Sequence, residues 1–248
     1  MLMPNAVDTP RDAAGMVDHD AGWKLWTDMV TYYPSGVHRR RLVAEWLEPY
    51  RPSAVLDVGC GAGHMLDSLH DRFPGARFTG VDSAVDTVVE NRRRLKWCRF
   101  EALDLTREPL RETFDTVVCS EVLEHVTDDE RAIRNLAAMT GRLLMITVPT
   151  GPLFPLEAGF GHLRHYQLDA LSARLQAQGL EILRAEAWGF PMMTAFKRAA
   201  NLRPAETMAG FGAGEWSAPK RLFGAALTRL FYLNVLKRGP QLLVLAGR

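Results

Sequence analysis

Apolar residues change their spacing along this chain, and the spacing marks out its elements. Residues 1–20 carry four Asp and no periodic apolar pattern, which predicts a frayed leader. Between residues 37 and 50 the period is helical: Leu42, Val43, Trp46 and Leu47 share one face, and Pro49 and Pro52 end the run. Short β-rich runs follow at 54–58, 76–81, 98–103, 114–119 and 142–148. Helical stretches separate them, such as 64–73, where Met65, Leu66, Leu69 and Phe73 fall together. Strands alternating with helices at this spacing predict βαβ units and a parallel sheet. Beyond Pro149 the rhythm breaks into a loop rich in Gly, Pro and His over 149–166, then a helix at 168–178 closed by Gly179. A strand at 181–188, a long excursion over 190–238 and a last apolar run at 242–246 complete the pattern.

Composition narrows the class. The 248 residues are 47% hydrophobic and 24% charged, with 30 Lys+Arg against 29 Asp+Glu, a net charge of +1. That suits a folded α/β domain and gives no electrostatic footprint for bulk nucleic-acid binding. The three cysteines, Cys60, Cys98 and Cys119, have neither CxxC spacing nor an even count, which argues against a disulfide framework or structural zinc. No apolar run reaches membrane-spanning length, and the Asp- and Pro-containing start is unlike a signal peptide. The expected location is the cytoplasm. The segment 191–248 differs from the rest, with nine Lys+Arg against two Glu.

The most informative segment is VLDVGCGAGH, residues 55–64, in which an apolar strand runs into Asp57, Gly59, Gly61 and Gly63 before a helix. Closely spaced glycines let backbone approach a ligand without a Cβ in the way, and the helix start beyond offers free N–H groups. A dinucleotide turn of the GxGxxG type would want a small residue at position 64, where His64 stands. Two more acids end strands: Asp82, which could accept ribose hydroxyls, and Asp104, which could accept from an adenine amino group. Either alone reads equally well as a helix N-cap. Three acids in register after three strands indicate a nucleoside site, because α/β sheets bind ligands at the carboxyl ends of their strands.

These segments (VLDVGCGAGHML, TGVD, EALDL and FDTVVCSEVLEHV) resemble class I S-adenosylmethionine-dependent methyltransferases over roughly residues 37–190 plus the last strand. The resemblance implies a Rossmann-like seven-stranded sheet in order 3-2-1-4-5-7-6, strand 7 antiparallel, with helices on both faces and a helical cover. It implies that Gly59, Gly61 and Gly63 line the methionine part of the cofactor and that Asp82 binds ribose. Leu103, Asp104 and Leu105 would contact adenine, with Asp57, Ser83, Ser120 and Glu121 completing the cofactor set. The implied layout is a leader and cover over 1–36, a core over 37–189, an insertion over 190–238 acting as a lid, and a last strand over 239–248.

Arg39 shares the inward face with Leu42 and Trp46, which makes it a candidate for the cofactor carboxylate or a structural ion pair, while Arg40 and Arg41 are expected in solvent. If Glu121 opens a helix, Glu121, Glu124 and His125 project together at i, i+3 and i+4. The EVLEH motif with a later His is similar to small-RNA terminal 2′-O-methyltransferases and ubiquinone-pathway O-methyltransferases. Carried over, that implies Mg²⁺ or another divalent metal held by Glu121, Glu124, His125 and His165. Many methyltransferases with the same motif bind no metal. The alternative makes His165, His162 or His125 the catalytic set, with His165 foremost as general base, a role that a neutral-range pKa suits; the bland alternative is that His162 and His165 only order their loop.

In the tail, Phe223, Leu227, Leu230 and Phe231 form an apolar stripe flanked by Lys and Arg. It reads as a capping helix or as a lid over an apolar acceptor, with peripheral membrane contact as a further possibility. Trp188, Phe190, Met192, Met193, Phe196, Phe211 and Trp216 add adaptable apolar surface. The expected activity is methyl transfer to a small aromatic or lipid-like acceptor in secondary metabolism, most simply on oxygen, with no nucleic-acid partner. Rival readings are transfer to nitrogen, metal-assisted transfer to RNA, cofactor binding without catalysis, and a nicotinamide-linked oxidoreductase. Against the last stand His64 and the absence of a Tyr-xxx-Lys pair.

Overall fold

The computed structural model describes residues 10–11, 17–211 and 214–248. Its centre is one eight-stranded sheet: β1 (Ala54–Val58), β2 (Arg77–Asp82), β3 (Cys98–Ala102), β4 (Phe114–Ser120), β5 (Thr140–Pro149), β6 (Glu181–Phe190), β7 (Val235–Leu236) and β8 (Gln241–Gly247). The order is β3-β2-β1-β4-β5-β8-β6-β7. Strands β1 to β5 pair in parallel, and β8 runs antiparallel between β5 and β6. The expected order holds with one correction. An eighth strand, the two-residue β7, pairs antiparallel with β6 at the edge, Val235 opposite Phe190.

Strands covered on both faces read as continuous apolar runs, which is why their existence was plain from sequence. Alternation divides their side chains between two cores. Leu56, Val117, Leu144, Ile146 and Val244 face α6 (Asp129–Met139) and α8 (Leu168–Gln176). Val55, Val118, Leu143, Met145 and Leu245 face α3 (Pro34–Leu47), α4 (His64–Arg72) and α5 (Val85–Arg94).

Three expectations need correction here. The supposed leader folds from His19 onward into α1 (His19–Leu25) and α2 (Thr27–Tyr32), while 1–9 and 12–16 lie outside the described residues. The signal was present: Trp23, Trp26, Val30 and Tyr33 are spaced as a helical stripe. Second, no helix opens at Glu121. That residue has φ 59°, the left-handed region, and turns the chain away; the next helix, α6, starts at Asp129 with Asp128 accepting from Arg131 N–H at 2.9 Å.

Third, the excursion contains α9 (Met192–Ala200), α10 (Pro204–Phe211) and α11 (Ala218–Phe231), and of the two readings of its apolar stripe α11 takes the capping helix and not the lid, with only part of the stripe turned inward. Gly224 and Phe231 are buried on its inner side, whereas Phe223 and Leu230 are 48% and 42% exposed. The side chain of Phe211 is outside the described residues. The inner side of α11 packs on α3, where the buried His38 donates from Nε2 to the Thr228 carbonyl at 2.7 Å and stacks on Trp188. Thus α11 braces the second core from behind.

Candidate active site

A cavity of about 820 Å³ opens at the carboxyl edge of the sheet. Its floor is Val58, Gly59, Asp82, Ser83, Leu103, Asp104, Leu105 and Glu121. The roof comes from α1–α2 through Trp23, Trp26 and Tyr33, and from α9–α10 through Met193, Phe196, Lys197 and Met208. No residue of α11 lines it, so the cover belongs to the N-terminal helices, α9 and α10.

The glycine turn forms because its three glycines sit at φ +72°, +48° and +83°, a region where a Cβ would strain the chain. Gly61 is also pressed by the Trp23 indole, which takes the space of any side chain. Asp82, 8% exposed, holds this turn from the neighbouring strand: Oδ2 accepts from Gly61 N–H at 2.8 Å and Oδ1 from Ala84 N–H at 2.9 Å. The Asn91 side-chain amide donates a hydrogen bond to the Gly61 carbonyl at 2.6 Å. Burial pushes the Asp82 carboxyl up, against the pull of those two N–H groups. Each oxygen keeps a lone pair for a further donor.

Asp104 is fixed differently. Its Oδ1 accepts from the Thr106 N–H and hydroxyl at 2.9 and 2.6 Å, and Oδ2 lies 3.2 Å from Arg107. Of the other residues expected at the cofactor, Asp57, Gly61, Gly63 and Ser120 do not line the cavity. Asp57 is buried beneath the turn, 2% exposed, where burial and the Asp82 carboxylate push its own carboxyl well up. Ser120 spends its hydroxyl on Thr147, 2.8 Å away.

The arginines are divided unlike the expectation. Arg39 lines the cavity and meets Glu121 at 3.3 Å, and Glu121 also accepts from the Gln241 amide at 2.8 Å. Arg40 is not in solvent: it lines the cavity and donates to the carbonyls of Val30 and Thr31 at 3.1 and 3.3 Å. Burial, with Arg39 beside it, pulls its pKa down to about 10. It has no carboxylate partner among the described residues. The reason is α2, which folds across this side of α3 and covers a flank that sequence periodicity leaves open. Arg41 does reach the surface, held by Glu45 at 2.7 Å.

At the far end the cavity wall carries His19, His125 and His162. His125 sits between the other two, with ring centroids 5.5 Å from His19 and 4.7 Å from His162. His165 is not in the wall. Its Nδ1 is 3.1 Å from the Gly151 carbonyl and its Nε2 3.4 Å from His162 Nδ1. A carbonyl can only accept, so His165 Nδ1 carries the proton; in the neutral ring Nε2 is then an acceptor, with the Glu157 carboxylate 3.6 Å from it. His162 therefore donates from Nδ1, and its Nε2 is left bare. Burial, then the charges of His125 and His165, pull the His162 pKa down to about 2, and burial pulls that of His125 to about 4.

The expected metal quartet does not assemble. Glu121 is committed to Arg39 and Gln241, and His165 to Gly151 and His162. The group that does converge is Glu124, His125 and His162, with ligand atoms all within 4.8 Å of one another. Both Glu124 oxygens and His125 Nδ1 are buried without a hydrogen-bond partner. Sequence reading also passed over Tyr33, whose phenol is pushed up to about 12 by burial and Glu157, and the half-buried Lys197–Glu157 pair at 2.6 Å.

Comparison with known proteins bears on the fold and the family. The chain is 25% identical over 155 residues to a malonyl-[acyl-carrier protein] O-methyltransferase of Anoxybacillus flavithermus, covering 59% of this chain and 60% of that protein. It is 35% identical over 98 residues to a trans-aconitate 2-methyltransferase of Variovorax paradoxus, covering 38% of each. The chain therefore spans no more than 60% of the length of these relatives. The fold is shared with a Bradyrhizobium japonicum N-methyltransferase in complex with S-adenosyl-L-homocysteine, at TM-score 0.55 and 17% identity over 89% of this chain and 90% of that one. It is shared too with a Synechocystis magnesium protoporphyrin IX methyltransferase, at TM-score 0.52 and 19% identity over 85% and 82%. The sequence pattern of the methyltransferase-domain family matches residues 31–185, more than half of the chain, and the chain belongs to that family.

Proposed function

We propose that this protein is an S-adenosylmethionine-dependent methyltransferase whose acceptor is a small aromatic or lipid-like molecule with a reactive oxygen. One observation carries the reading: a single cavity joins the Asp82–Asp104 edge to an apolar end walled by Trp26, Tyr33, Phe160, Phe196 and histidines. The residues present fit the cofactor. Asp82 and Asp104 offer acceptor lone pairs to ribose and adenine, and Arg40 is a desolvated cation without a carboxylate. We assign the methionine carboxylate to Arg40 rather than to Arg39, which Glu121 already neutralises. When bound, the cofactor supplies an electrophilic methyl group for in-line displacement.

The chain's own residues align the acceptor and exclude water. The aromatic roof sheds water from the apolar end. The bare Nε2 of His162 accepts from the acceptor hydroxyl and orients its oxygen, while His165 fixes the ring of His162 through the Gly151 carbonyl. His165 is thus a positioning residue and His162 the catalytic one. Titration calorimetry with S-adenosyl-L-homocysteine tests the cofactor end. Asp82→Asn replaces one accepting oxygen by a donor and loses charge on both main-chain bonds, so affinity should fall about 10- to 100-fold. Wild-type affinity in that variant would overturn the assignment.

A second reading concerns a metal, and the orphaned acceptors of Glu124 and His125 favour it. A divalent cation held by Glu124, His125 and His162 would satisfy them and polarise an acceptor hydroxyl. Manganese(II) added to chelator-treated protein should then bind, and Glu124→Gln should abolish the uptake. No heat of binding in the wild type would eliminate this reading.

A further inference from the structure

The outer face of α11 has the wrong chemistry for water. Leu222, Ala226, Leu230 and, just past the helix end, Leu233 recur every three or four residues and form one ridge. Leu222 is 72% exposed and Leu233 62%. Phe223 and Tyr232 flank the ridge, and the surface continues onto the edge strand β7, where the exposed Val235 stands opposite the exposed Phe190. A surface helix normally turns polar residues outward and keeps its apolar stripe for the core. This one has an apolar stripe on each side, and the inner one is already satisfied by α3 and the second core.

Charge says what covers the outer one. From Ser217 to the end, the chain has Lys220, Arg221, Arg229, Lys237, Arg238 and Arg248 and no Asp or Glu. Arg221 is used on Asp28 at 3.0 Å, and Glu45, the acid of α3 on this side, is held by Arg41. Arg229, Lys237 and Arg238 have no ion pair among the described residues. Arg229 lies beside the ridge, and the other two follow it in the turn between β7 and β8. An apolar crown with uncompensated cations at its border is the composition of a helix that lies in a lipid interface. A second copy on a two-fold axis would bring these cations against themselves. No helix among the described residues is long and apolar enough to cross a membrane, so the contact is in the plane of the surface.

We propose that the outer face of α11, with the turn into β7, is a docking surface for an anionic phospholipid bilayer. The proposal stands independently of the acceptor's identity. It has one structural link to the site: Phe231, on the inner face, meets Phe196 at 5.9 Å between ring centroids, and Phe196 lines the cavity.

Co-sedimentation of the full chain with vesicles tests it, using phosphatidylcholine alone and phosphatidylcholine with phosphatidylserine. Protein should partition onto the anionic vesicles, weakly onto the neutral ones, and less as salt rises. The double variant Leu222→Glu/Leu233→Glu changes only exposed side chains, so it should melt like wild type and lose at least about tenfold in partition. Arg229→Gln/Lys237→Gln should lower binding to anionic vesicles while leaving the weak neutral binding unchanged. Failure of the wild type to bind anionic vesicles would overturn the proposal, as would equal binding by the leucine variant. A concentration-dependent dimer in light scattering, dispersed by the same leucine variant, would assign the face to a second copy instead.

Discussion

Replacing Phe231 by Ala separates a brace from a lid. Phe231 is 1% exposed, with Trp188, His38 and Phe196 rings at 6.4, 6.1 and 5.9 Å. Losing the ring forfeits about 2–3 kcal/mol of transfer free energy, and the cavity left behind adds a similar amount, so roughly 3–5 kcal/mol in all. In a chain of this size about 2–4 °C of melting temperature accompanies each kcal/mol, which puts the drop near 10 °C. Phe223→Ala, on the exposed flank of the same helix, should stay within about 0.5 kcal/mol. Calorimetric melts of both variants, followed by kinetics well below the transition, supply the comparison. The Phe231 variant should keep wild-type affinity for S-adenosyl-L-homocysteine per folded molecule. If the two variants melt alike, or if Phe223→Ala weakens acceptor binding while Phe231→Ala does not, the orientation assigned to α11 is wrong.

Arg40→Met should weaken S-adenosyl-L-homocysteine binding by about 10- to 100-fold, the loss of a charge-assisted pair, whereas Arg39→Met should act mainly on turnover by releasing Glu121. Calorimetry showing the reverse pattern would return the carboxylate to Arg39. Acid stability offers a further check at Asp129, where burial pushes the carboxyl up but bonds from Arg174 at 2.9 Å and the Tyr166 hydroxyl at 2.7 Å hold it below its ordinary value. A depressed folded-state pKa gives stability that is complete above the unfolded value of about 3.9 and disappears as pH falls through the folded value. Asp129→Asn should therefore be less stable than wild type by about 1–3 kcal/mol at neutral pH, with the gap closing in denaturant melts taken below about pH 4. A gap that persists unchanged into acid would mean that the charge of Asp129 is not what stabilises this junction.

The sheet was legible because its physics is local. A strand buried on both faces is apolar over most of its length, and residues 54–58, apolar but for Asp57, matched β1 at both ends for that reason. The glycine turn was legible because positive φ at three positions leaves few alternatives to glycine. What failed depended on a partner outside the segment being read. The flank of α3 bearing Arg40 is solvent-facing by period and becomes covered only when α2 crosses it. Glu121 satisfies a helical spacing, yet its backbone is turned by the strand end and its N–H bonds to the Thr147 carbonyl at 2.9 Å. In α11 both faces are apolar, so a period of 3.6 finds two stripes and cannot say which the core takes.

The histidines show the same limit at the level of chemistry. Residues 161–166 offer two imidazoles three positions apart, and their sequence contains nothing that ranks them. The ranking comes from the Gly151 carbonyl, contributed by the turn after β5. Because that oxygen cannot donate, it fixes the proton of His165, which fixes that of His162, which leaves one lone pair at the cavity wall. If this ordering operates in catalysis, His162→Ala should remove turnover. His165→Asn, which can still donate to Gly151 and accept from His162, should retain more kcat than His165→Ala, with cofactor affinity equal in both. Equal kcat in the two His165 variants would mean that the chain of hydrogen bonds orders the loop and nothing more.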